Sequence, residues 1–370
     1  MSDAQDARFM ASALALGRQG AGRTAPNPSV GAILVQSGTL GSVVVGAART
    51  QDGGRPHAER VALKQAGSAA RGATLYVSLE PCSHVGRTPP CVDAVIAAGI
   101  GRAVVATTDP NPAVAGEGLR KLEAAGIEVS LGLRGEEARR DLAGHVSRMC
   151  RGRPHVRLKL AVSADGGIGR EGEGQIAISS ELSRRRAHLM RAESDAIAVG
   201  INTMMFDNPQ LTCRLPGMAI RSPARVIFDT KAQTPPDAAV FQTAVAAPVI
   251  VVCGHDADPE KIDALSEAGA DCIPIDTGPD GRVDPKKALA LLAGQGMTTV
   301  MVEGGARLAA CLLKADLVDE IQWIDAPTVL GGHVIKPFGG KGPAQLAERF
   351  VLIHEERLGG DTWRHYWRKD

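Results

Sequence analysis

The grouping of one histidine, one glutamate and two cysteines constrains the fold of this chain most. His57-Ala-Glu59 is followed by Glu80-Pro-Cys-Ser-His-Val-Gly-Arg-Thr-Pro-Pro-Cys91, in which each cysteine comes directly after a proline. A catalytic zinc site needs three protein ligands and one open position for water. We therefore expect His57, Cys82 and Cys91 to bind Zn²⁺, with Glu59 close enough to the open position to shuttle protons.

These residue types suit hydrolytic removal of an amino group. Zinc lowers the pKa of its bound water toward neutrality, and the resulting hydroxide can attack an amidine-like ring carbon. A carboxylate beside the metal can carry the proton to the ring nitrogen and to the departing ammonia. Zinc nucleobase deaminases combine H-x-E with P-C-x-x-C in this way. Here Ser83 to Pro90 separate the two cysteines, a longer spacing than the two residues of that pattern.

Other interpretations of the same residues stay open. Taken singly, the two cysteines could be buried thiols and His57 a core histidine, which is the commoner situation for such residues. Their joint occurrence makes this the weaker interpretation. His84 could complete a purely structural zinc site with four ligands. Glu59 could be a solvated charge on a helix face.

Composition limits the classes of protein to consider. With 370 residues the chain is expected to form two domains. The net charge of +1 argues against nucleic-acid binding driven by bulk electrostatics, and 3% aromatic residues disfavour a base-stacking platform. Seven scattered cysteines suit a reducing cytoplasm. We expect no signal peptide, because the N-terminus lacks a basic region followed by an apolar run, and no membrane span.

Strands and helices are predicted to alternate along both halves. In the first half we expect strands at 30–35, 43–46, 74–79, 103–107 and 127–131, and helices at 3–18, 57–67, 91–98 and 117–125. In the second half we expect strands at 155–163, 196–199, 225–228, 249–252, 299–302, 320–324 and 363–367, and helices at 180–193, 259–268, 285–292 and 307–314. The metal-binding segments then lie at helix N-termini, which favour thiolates.

A basic segment containing glycine and proline, 148–154, is interpreted as the domain boundary, giving domains over 1–150 and 154–370. A loop inside one domain is the alternative. In the second half a strand runs into Glu303-Gly-Gly-Ala-Arg-Leu308, where glycines before a helix would let backbone N–H groups approach a phosphate. An ordinary tight turn explains the two glycines equally well. Arg214 could clamp a phosphate or be a surface charge.

Taken together, these residues resemble the bifunctional riboflavin-biosynthesis deaminase/reductase family over nearly the whole chain. The resemblance rests on Pro26-Asn-Pro-Ser-Val-Gly31, on His57-Ala-Glu59, on the run from Glu80 to Cys91, and on Asp109-Pro-Asn-Pro112 with Gly116. In that family the longer spacing between the cysteines is normal, so the departure from the shorter pattern supports the resemblance.

The resemblance implies an α/β fold with a cytidine-deaminase-like α/β/α domain followed by a dihydrofolate-reductase-like α/β domain. The first would bind Zn²⁺ through His57, Cys82 and Cys91 and use Glu59 as the proton shuttle. Asn27 would lie on a loop that contacts the substrate, with an Asx-type turn between prolines as the alternative. The substrate would be 2,5-diamino-6-ribosylamino-4(3H)-pyrimidinone 5′-phosphate, which would lose its 2-amino group as ammonia.

The second domain would use NADPH to reduce the opened ribose to ribitol. The resemblance places NADP near Ala161, Ile176, Thr203, Asp207, Thr230 and Gly305. It places the sugar phosphate near Gly174, Arg191, Leu211, Arg214 and Glu303. Without it, Thr203 and Thr230 would be cap or turn residues, Leu211 a core residue and Arg191 a helix-surface charge.

The sequence departs from the family pattern at three of these positions. Ala161 stands where a glycine is expected, Gly174 where a serine is common and Ile176 where a tryptophan is common. Ala161 and Ile176 can act through backbone and packing, so we expect activity to survive. Gly174 has no hydroxyl to offer the substrate.

Three functional hypotheses follow. The first is a two-step enzyme, a zinc hydrolase fused to an NADPH-dependent oxidoreductase, that acts on a phosphorylated pyrimidine. The second is a zinc deaminase acting on a nucleic-acid base such as a tRNA adenosine, against which charge and aromatic content argue. The third is a structural zinc domain fused to a nucleotide-sensing module. For the first we expect a cytoplasmic homo-oligomer with no nucleic-acid or membrane partner. No residue distinguishes NADP from NAD.

Overall fold

The computed structural model describes residues 3–39, 41–86, 88–111, 114–340, 342 and 346–369. Arg87 and Pro112, which belong to the sequence motifs above, lie outside these residues. The chain divides into two compact units, Met1–Gly152 and Arg153–Asp370. In the described residues, none of the helices combines the length and the apolar character that crossing a bilayer requires.

The first unit is a sheet between two layers of helices. Its helices are α1 (Asp3–Arg18), α2 (Ala58–Ala66), α3 (Cys91–Ala97), α4 (Glu117–Ala124), α5 (Gly135–Asp141) and α6 (Ala143–Arg151). Its strands are β1 (Gly31–Gly38), β2 (Gly41–Arg49), β3 (Thr74–Val77), β4 (Arg102–Val105) and β5 (Glu128–Leu131). Their order in the sheet is β2-β1-β3-β4-β5, with β3, β4 and β5 parallel and β1 antiparallel to both of its neighbours.

Alternation along the central strands separates the two helical layers. Ala32 and Leu34 of β1 belong to a core with residues of α2, α3 and α4, whereas Ile33 and Val35 belong to a core with α1 and α5. Side chains two apart in a strand face the same side of the sheet. Gly31 permits the close approach of α1, because a Cβ at that position would lie 1.8 Å from the Ala13 carbonyl oxygen.

The second unit is built on a larger mixed sheet. Its strands are β6 (His155–Val162), β7 (Ala196–Gly200), β8 (Ala224–Phe228), β9 (Val249–Gly254), β10 (Ala270–Ile275), β11 (Thr299–Glu303), β12 (Glu320–Asp325), β13 (Phe350–Leu358) and β14 (Asp361–Arg368). Its helices are α7 (Glu181–Ala192), α8 (Ile201–Asp207), α9 (Pro259–Glu267), α10 (Pro285–Gly294) and α11 (Ala306–Lys314). Their strand order is β10-β9-β8-β7-β11-β6-β12-β14-β13, with β13 and β14 antiparallel additions at one edge.

The topology of this sheet positions a candidate site. From β6 the chain passes to β7 and moves outward through β8, β9 and β10, then returns to insert β11 between β7 and β6. Ligands of such sheets bind outside the carboxyl ends of the strands where the strand order reverses. Glu303 ends β11 and Gly200 ends β7 at that edge.

The α/β fold class predicted from the sequence is confirmed for both units. Every predicted helix and strand is present, with ends shifted by up to about two residues in most cases. Among the α-helices and strands of the described residues, the sequence interpretation omitted α5, α6, α8, β10 and β13. Part of the segment interpreted as a boundary loop, 148–151, is the last turn of α6, and Gly152 ends that helix with a left-handed φ of 64°.

Candidate functional sites

The three candidate metal ligands come together although they lie on separate elements. His57 is the N-cap of α2, Cys91 opens α3, and Cys82 lies on the loop after β3. The His57 Nδ1 atom lies 3.7 Å from the Cys82 Sγ and 3.4 Å from the Cys91 Sγ. All three ligand atoms lie within 4.8 Å of one another. Zinc–nitrogen and zinc–sulfur bonds at tetrahedral angles place such atoms about 3.6 Å apart, so the spacing fits a zinc ion.

The chemistry of this donor set also fits zinc. Hydrogen bonding with the Cys91 thiol and with His57 lowers the pKa of Cys82 to about 4. The backbone N–H of Cys91 donates to the Cys82 sulfur at 3.3 Å. Zinc binds the thiolate form of cysteine, and hydrogen bonds to the ligands from their surroundings fix their orientation. These contacts favour the thiolate form of Cys82, which is the form that zinc binds.

Glu59 lies beside these ligands and is buried, with 3% of its surface exposed. Burial raises the pKa of Glu59, and the nearby Cys91 and His57 act on it in the opposite direction. The alternative interpretation of Glu59 as a solvated helix-face charge is therefore wrong. Among the described residues the metal-type cluster comprises His57, Cys82 and Cys91, whereas His84 is exposed and is not part of it.

The long spacing between the cysteines forms a loop that basic side chains hold in place. Arg55 Nη1 donates to the Thr88 hydroxyl at 2.8 Å, and Arg60 Nη2 donates to the Pro89 carbonyl at 2.8 Å. From α4, Lys121 Nζ donates to the Ser83 carbonyl at 3.1 Å. These three hydrogen bonds hold Ser83, Thr88 and Pro89 of the loop to other parts of the first unit.

Asn27 supports the segment that leads into His57. Its side-chain amide nitrogen donates to the Gly54 carbonyl at 2.8 Å, so it bonds far along the chain and does not form the local Asx-type turn considered as an alternative. Within the described residues its Oδ1 has no hydrogen-bond partner. Contact of that oxygen with a substrate, which the resemblance implies, stays a prediction.

Glu80 was quoted as part of a motif, but its role was missed. It is 5% exposed, and its carboxylate accepts backbone N–H hydrogen bonds from Asp109 at 3.0 Å, Gly116 at 2.9 Å and Gly118 at 2.8 Å. Gly118 packs so closely that a Cβ there would lie 2.3 Å from the Pro81 carbonyl oxygen. Glu80 therefore ties the segment from Asp109 to Gly118 to the backbone just before Cys82.

Replacing Glu80 by glutamine is expected to lower the free energy of unfolding of the first unit by about 3 kcal/mol, because hydrogen bonds to a charged acceptor contribute about 1.5–3 kcal/mol each. The amide would also turn an N–H donor toward backbone donors. Denaturant unfolding of the full chain measures the change. Glu123→Gln, on the exposed surface of α4, is the matched control and should change stability little. Equal stabilities of the two variants would contradict this role of Glu80.

The second unit gathers charged side chains at the carboxyl edge of its sheet. Arg191 of α7 donates from Nε to Glu303 Oε2 at 2.8 Å, and Lys159 of β6 donates to Glu303 Oε1 at 3.3 Å. Burial raises the pKa of Glu303, but Arg191 and Lys159 outweigh it and hold the pKa at about 2. Arg191 is buried, so the surface-charge interpretation is wrong. Lys159 was missed, and its sequence signal was one of two basic residues, with Arg157, in a strand interpreted as apolar.

The segment 211–214 lies against α7. Arg191 Nη1 donates to the Thr212 carbonyl at 2.9 Å, and the Arg214 N–H donates to His188 Nδ1 at 3.3 Å. Leu211 is buried in the core with Met204, as its alternative interpretation proposed, and only its backbone could reach a ligand. Arg214 is exposed.

Thr203 and Gly305 face each other at the carboxyl ends of β7 and β11. A Cβ on Gly305 would lie 3.3 Å from the Thr203 hydroxyl oxygen. Gly304 and Gly305 both have a φ of 73°, a conformation that suits glycine. Gly305 is the N-cap of α11, and the backbone N–H groups at a helix N-terminus favour phosphate, so the cofactor site stays a prediction here. The structure brings these two predicted cofactor residues together.

The remaining predicted residues of the second unit have varied surroundings. Asp207 ends α8 half-buried; burial raises its pKa, and its carboxylate has no hydrogen-bond partner in the described residues. The Thr230 hydroxyl accepts from the Val283 N–H at 3.1 Å, which supports a turn role.

The three positions that depart from the family pattern differ in their packing. A Cβ on Gly174 would lie 2.9 Å from the Phe206 carbonyl oxygen, so glycine suits that close contact. Ala161 packs in a small core cluster, and Ile176 is half-buried.

Comparison with known proteins decides the family. The family described as "RibD C-terminal domain" matches residues 154–363, and the family described as "Cytidine and deoxycytidylate deaminase zinc-binding region" matches residues 3–107. The chain belongs to the RibD family. The "Riboflavin biosynthesis protein RibD" of Aquifex aeolicus is 40% identical over 358 residues, which cover 96% of each chain. The predicted family is thus confirmed.

Solved structures of RibD proteins share the fold along the full chain. RibD of Acinetobacter baumannii (form 1) superimposes with a TM-score of 0.84 at 34% identity and covers 99% of both chains. A Thermotoga maritima protein described as a diaminohydroxyphosphoribosylaminopyrimidine deaminase/5-amino-6-(5-phosphoribosylamino)uracil reductase gives a TM-score of 0.84 at 32% identity. It covers 98% of this chain and 99% of its own.

Proposed function

We propose that this chain carries out two successive steps of riboflavin biosynthesis. The first unit deaminates 2,5-diamino-6-ribosylamino-4(3H)-pyrimidinone 5′-phosphate with zinc, and the second reduces 5-amino-6-(5-phosphoribosylamino)uracil with NADPH. The observation that carries the proposal is the convergence of His57, Cys82 and Cys91 beside the buried Glu59. The family and the description of the Thermotoga protein support the pairing of both activities in one chain.

In deamination the residues of the first unit bind and move protons. When bound to His57, Cys82 and Cys91, zinc supplies the positive charge that acidifies the attacking water. Glu59 accepts one proton of that water and delivers it to the ring nitrogen, and it then moves the remaining hydroxyl proton to the amino group that leaves as ammonia. This task suits a buried carboxylate of raised pKa. Asn27 Oδ1 accepts a hydrogen bond from the pyrimidine.

In reduction the second unit orients two ligands. NADPH supplies the hydride, while Thr203 and the Gly305 loop hold the cofactor and Asp207 contacts it. Arg191 and Arg214 bind the sugar phosphate, and Glu303 contacts the opened ribose. Lys159 Nζ donates to Glu303 Oε1 at 3.3 Å, and we propose that it supplies the proton that accompanies the hydride. Ala161, Gly174, Ile176, Leu211 and Thr230 contribute backbone and packing.

Replacing Gly305 by alanine is expected to raise the KM for NADPH roughly tenfold, because a left-handed φ costs an L-residue roughly 1–2 kcal/mol and the loop would leave its present conformation. Initial rates at varied NADPH measure the change, and the deaminase rate should stay constant. Gly294→Ala is the matched control, since that glycine lies in α10 with nothing within 4 Å of an added Cβ. A KM unchanged in the Gly305 variant would contradict the placement of the cofactor.

The proposed function is tested with the purified full chain, zinc and NADPH. The diaminopyrimidine should release ammonia, and NADPH should be consumed only after that release. Direct supply of the deaminated intermediate should support NADPH oxidation without ammonia. Ammonia release with no NADPH consumption on either substrate would refute the reductase half, and NADPH consumption without ammonia release would refute the deaminase half.

Several finer points belong to the same proposal. We place the enzyme in the cytoplasm as a homo-oligomer that acts on small molecules and binds no nucleic acid, in accord with its near-neutral charge. Light scattering would measure the oligomeric state. A filter-binding assay with tRNA at physiological salt should show no retention. The nucleic-acid deaminase hypothesis is not favoured, because the RibD match extends over the second unit.

A further inference from the structure

His188 lies one helical turn before Arg191 on α7, so both side chains point to the same side of the helix. Both contact the segment 211–214. Arg191 donates to the Thr212 carbonyl, and His188 Nδ1 accepts from the Arg214 N–H. The helix thus holds this segment at two points with one donor and one acceptor. Neither the sequence motifs nor the mechanism above uses His188.

The charges around His188 suit this accepting role. Burial, together with Arg191 and Arg214, lowers the pKa of His188 to about 4, so its ring is neutral near pH 7 and Nδ1 keeps a lone pair. Glu303 neutralises Arg191. The Arg214 guanidinium has no ion-pair partner in the described part of the chain. Three cations, Lys159, Arg191 and Arg214, thus share the single carboxylate of Glu303. The hydrogen bond from the Arg214 backbone N–H to His188 fixes the point from which the Arg214 side chain extends.

We propose that His188 is a positioning residue that gives the reductase site its preference for a phosphorylated over a non-phosphorylated sugar, by fixing the backbone of Arg214. The proposal rests on the proposed reductase function. A guanidinium recognises phosphate through paired N–H donors, so its geometry matters as well as its charge. Without the hydrogen bond to His188, the segment 211–214 would still carry the positive charge of Arg214, but the direction of the Arg214 side chain would no longer be fixed.

The test compares His188→Leu, which fills a similar volume without an acceptor, with His188→Asn, whose side-chain oxygen replaces Nδ1. Reduction of 5-amino-6-(5-phosphoribosylamino)uracil and of its dephosphorylated riboside is measured for each. We expect His188→Leu to lower kcat/KM about tenfold on the phosphorylated substrate through KM, the size of one hydrogen bond. The riboside should be affected less than about twofold, and His188→Asn should restore most of the loss.

A double variant separates positioning from general damage. His188→Leu added to Arg214→Ala should cause no further loss, because His188 acts through Arg214. Equal losses on both substrates, additive losses in the double variant, or no loss in His188→Leu would each overturn the proposal. Deamination by the first unit reports on the amount of folded enzyme. If the wild-type chain fails to reduce either substrate, the proposed function fails instead.

Discussion

Glu59→Gln is expected to lower the kcat of deamination roughly a thousandfold while zinc stays bound, since a positioned general acid–base contributes about 10²–10⁴-fold. Glutamine keeps the shape of the side chain but cannot accept a proton from water. Glu59 is also the carboxylate whose burial and contact with Cys91 place it at the metal centre. Ammonia release under saturating substrate measures the rate, and metal analysis of the same sample measures zinc.

Two controls make this result specific to proton transfer. NADPH-dependent reduction of the deaminated intermediate should be unchanged, because it belongs to the second unit. Glu123→Gln removes an exposed carboxylate of the same unit and should leave deamination intact. Glu59→Gln with more than about a tenth of the wild-type rate would show that another group moves the proton. Loss of zinc from this variant would show a role in metal binding instead.

The candidate metal site could be predicted from sequence because its information is local. His57 and Glu59 are two residues apart, and each cysteine follows a proline, so residue types alone point to the chemistry. Glu80 stands in the same motif, yet its role could not be predicted, because its backbone donors lie 29–38 residues further along the chain. A backbone N–H carries no signature in the sequence of the residue that supplies it.

The features that the sequence interpretation missed each have a physical reason. The helix α8 has seven residues and follows β7 without a loop, so its short apolar stretch continued the strand pattern. The edge strand β13 buries few of its side chains and shows no alternation. Lys159 was overlooked because its partner Glu303 lies 144 residues away, and strand β6 was interpreted through its apolar residues. A contact between distant segments decided the case of Lys159, whereas α8 and β13 were missed because of their own short or irregular patterns.

Removal of zinc is expected to abolish deamination and leave reduction intact. The ligands come from two helix N-termini and a loop of the first unit, whereas Glu303 and Gly305 belong to the second. Without the metal no residue of this cluster can acidify the attacking water. Dialysis against a chelator should stop ammonia release, added zinc should restore it, and reduction of the intermediate should proceed throughout.

Cys91→Ser makes this loss irreversible, because a hydroxyl is a far weaker zinc ligand than a thiolate. The variant should lack stoichiometric zinc, release no ammonia after zinc is added, and melt at a lower temperature, since binding free energy contributes to folding. Cys150→Ser is the matched control, as that thiol is exposed on α6 and outside the cluster. Deamination by zinc-free enzyme, or by Cys91→Ser, would place the chemistry elsewhere. The backbone N–H of residue 91 donates to the Cys82 sulfur, and a serine at this position keeps that hydrogen bond. Loss of zinc and of ammonia release in the variant would therefore report on the Cys91 sulfur itself.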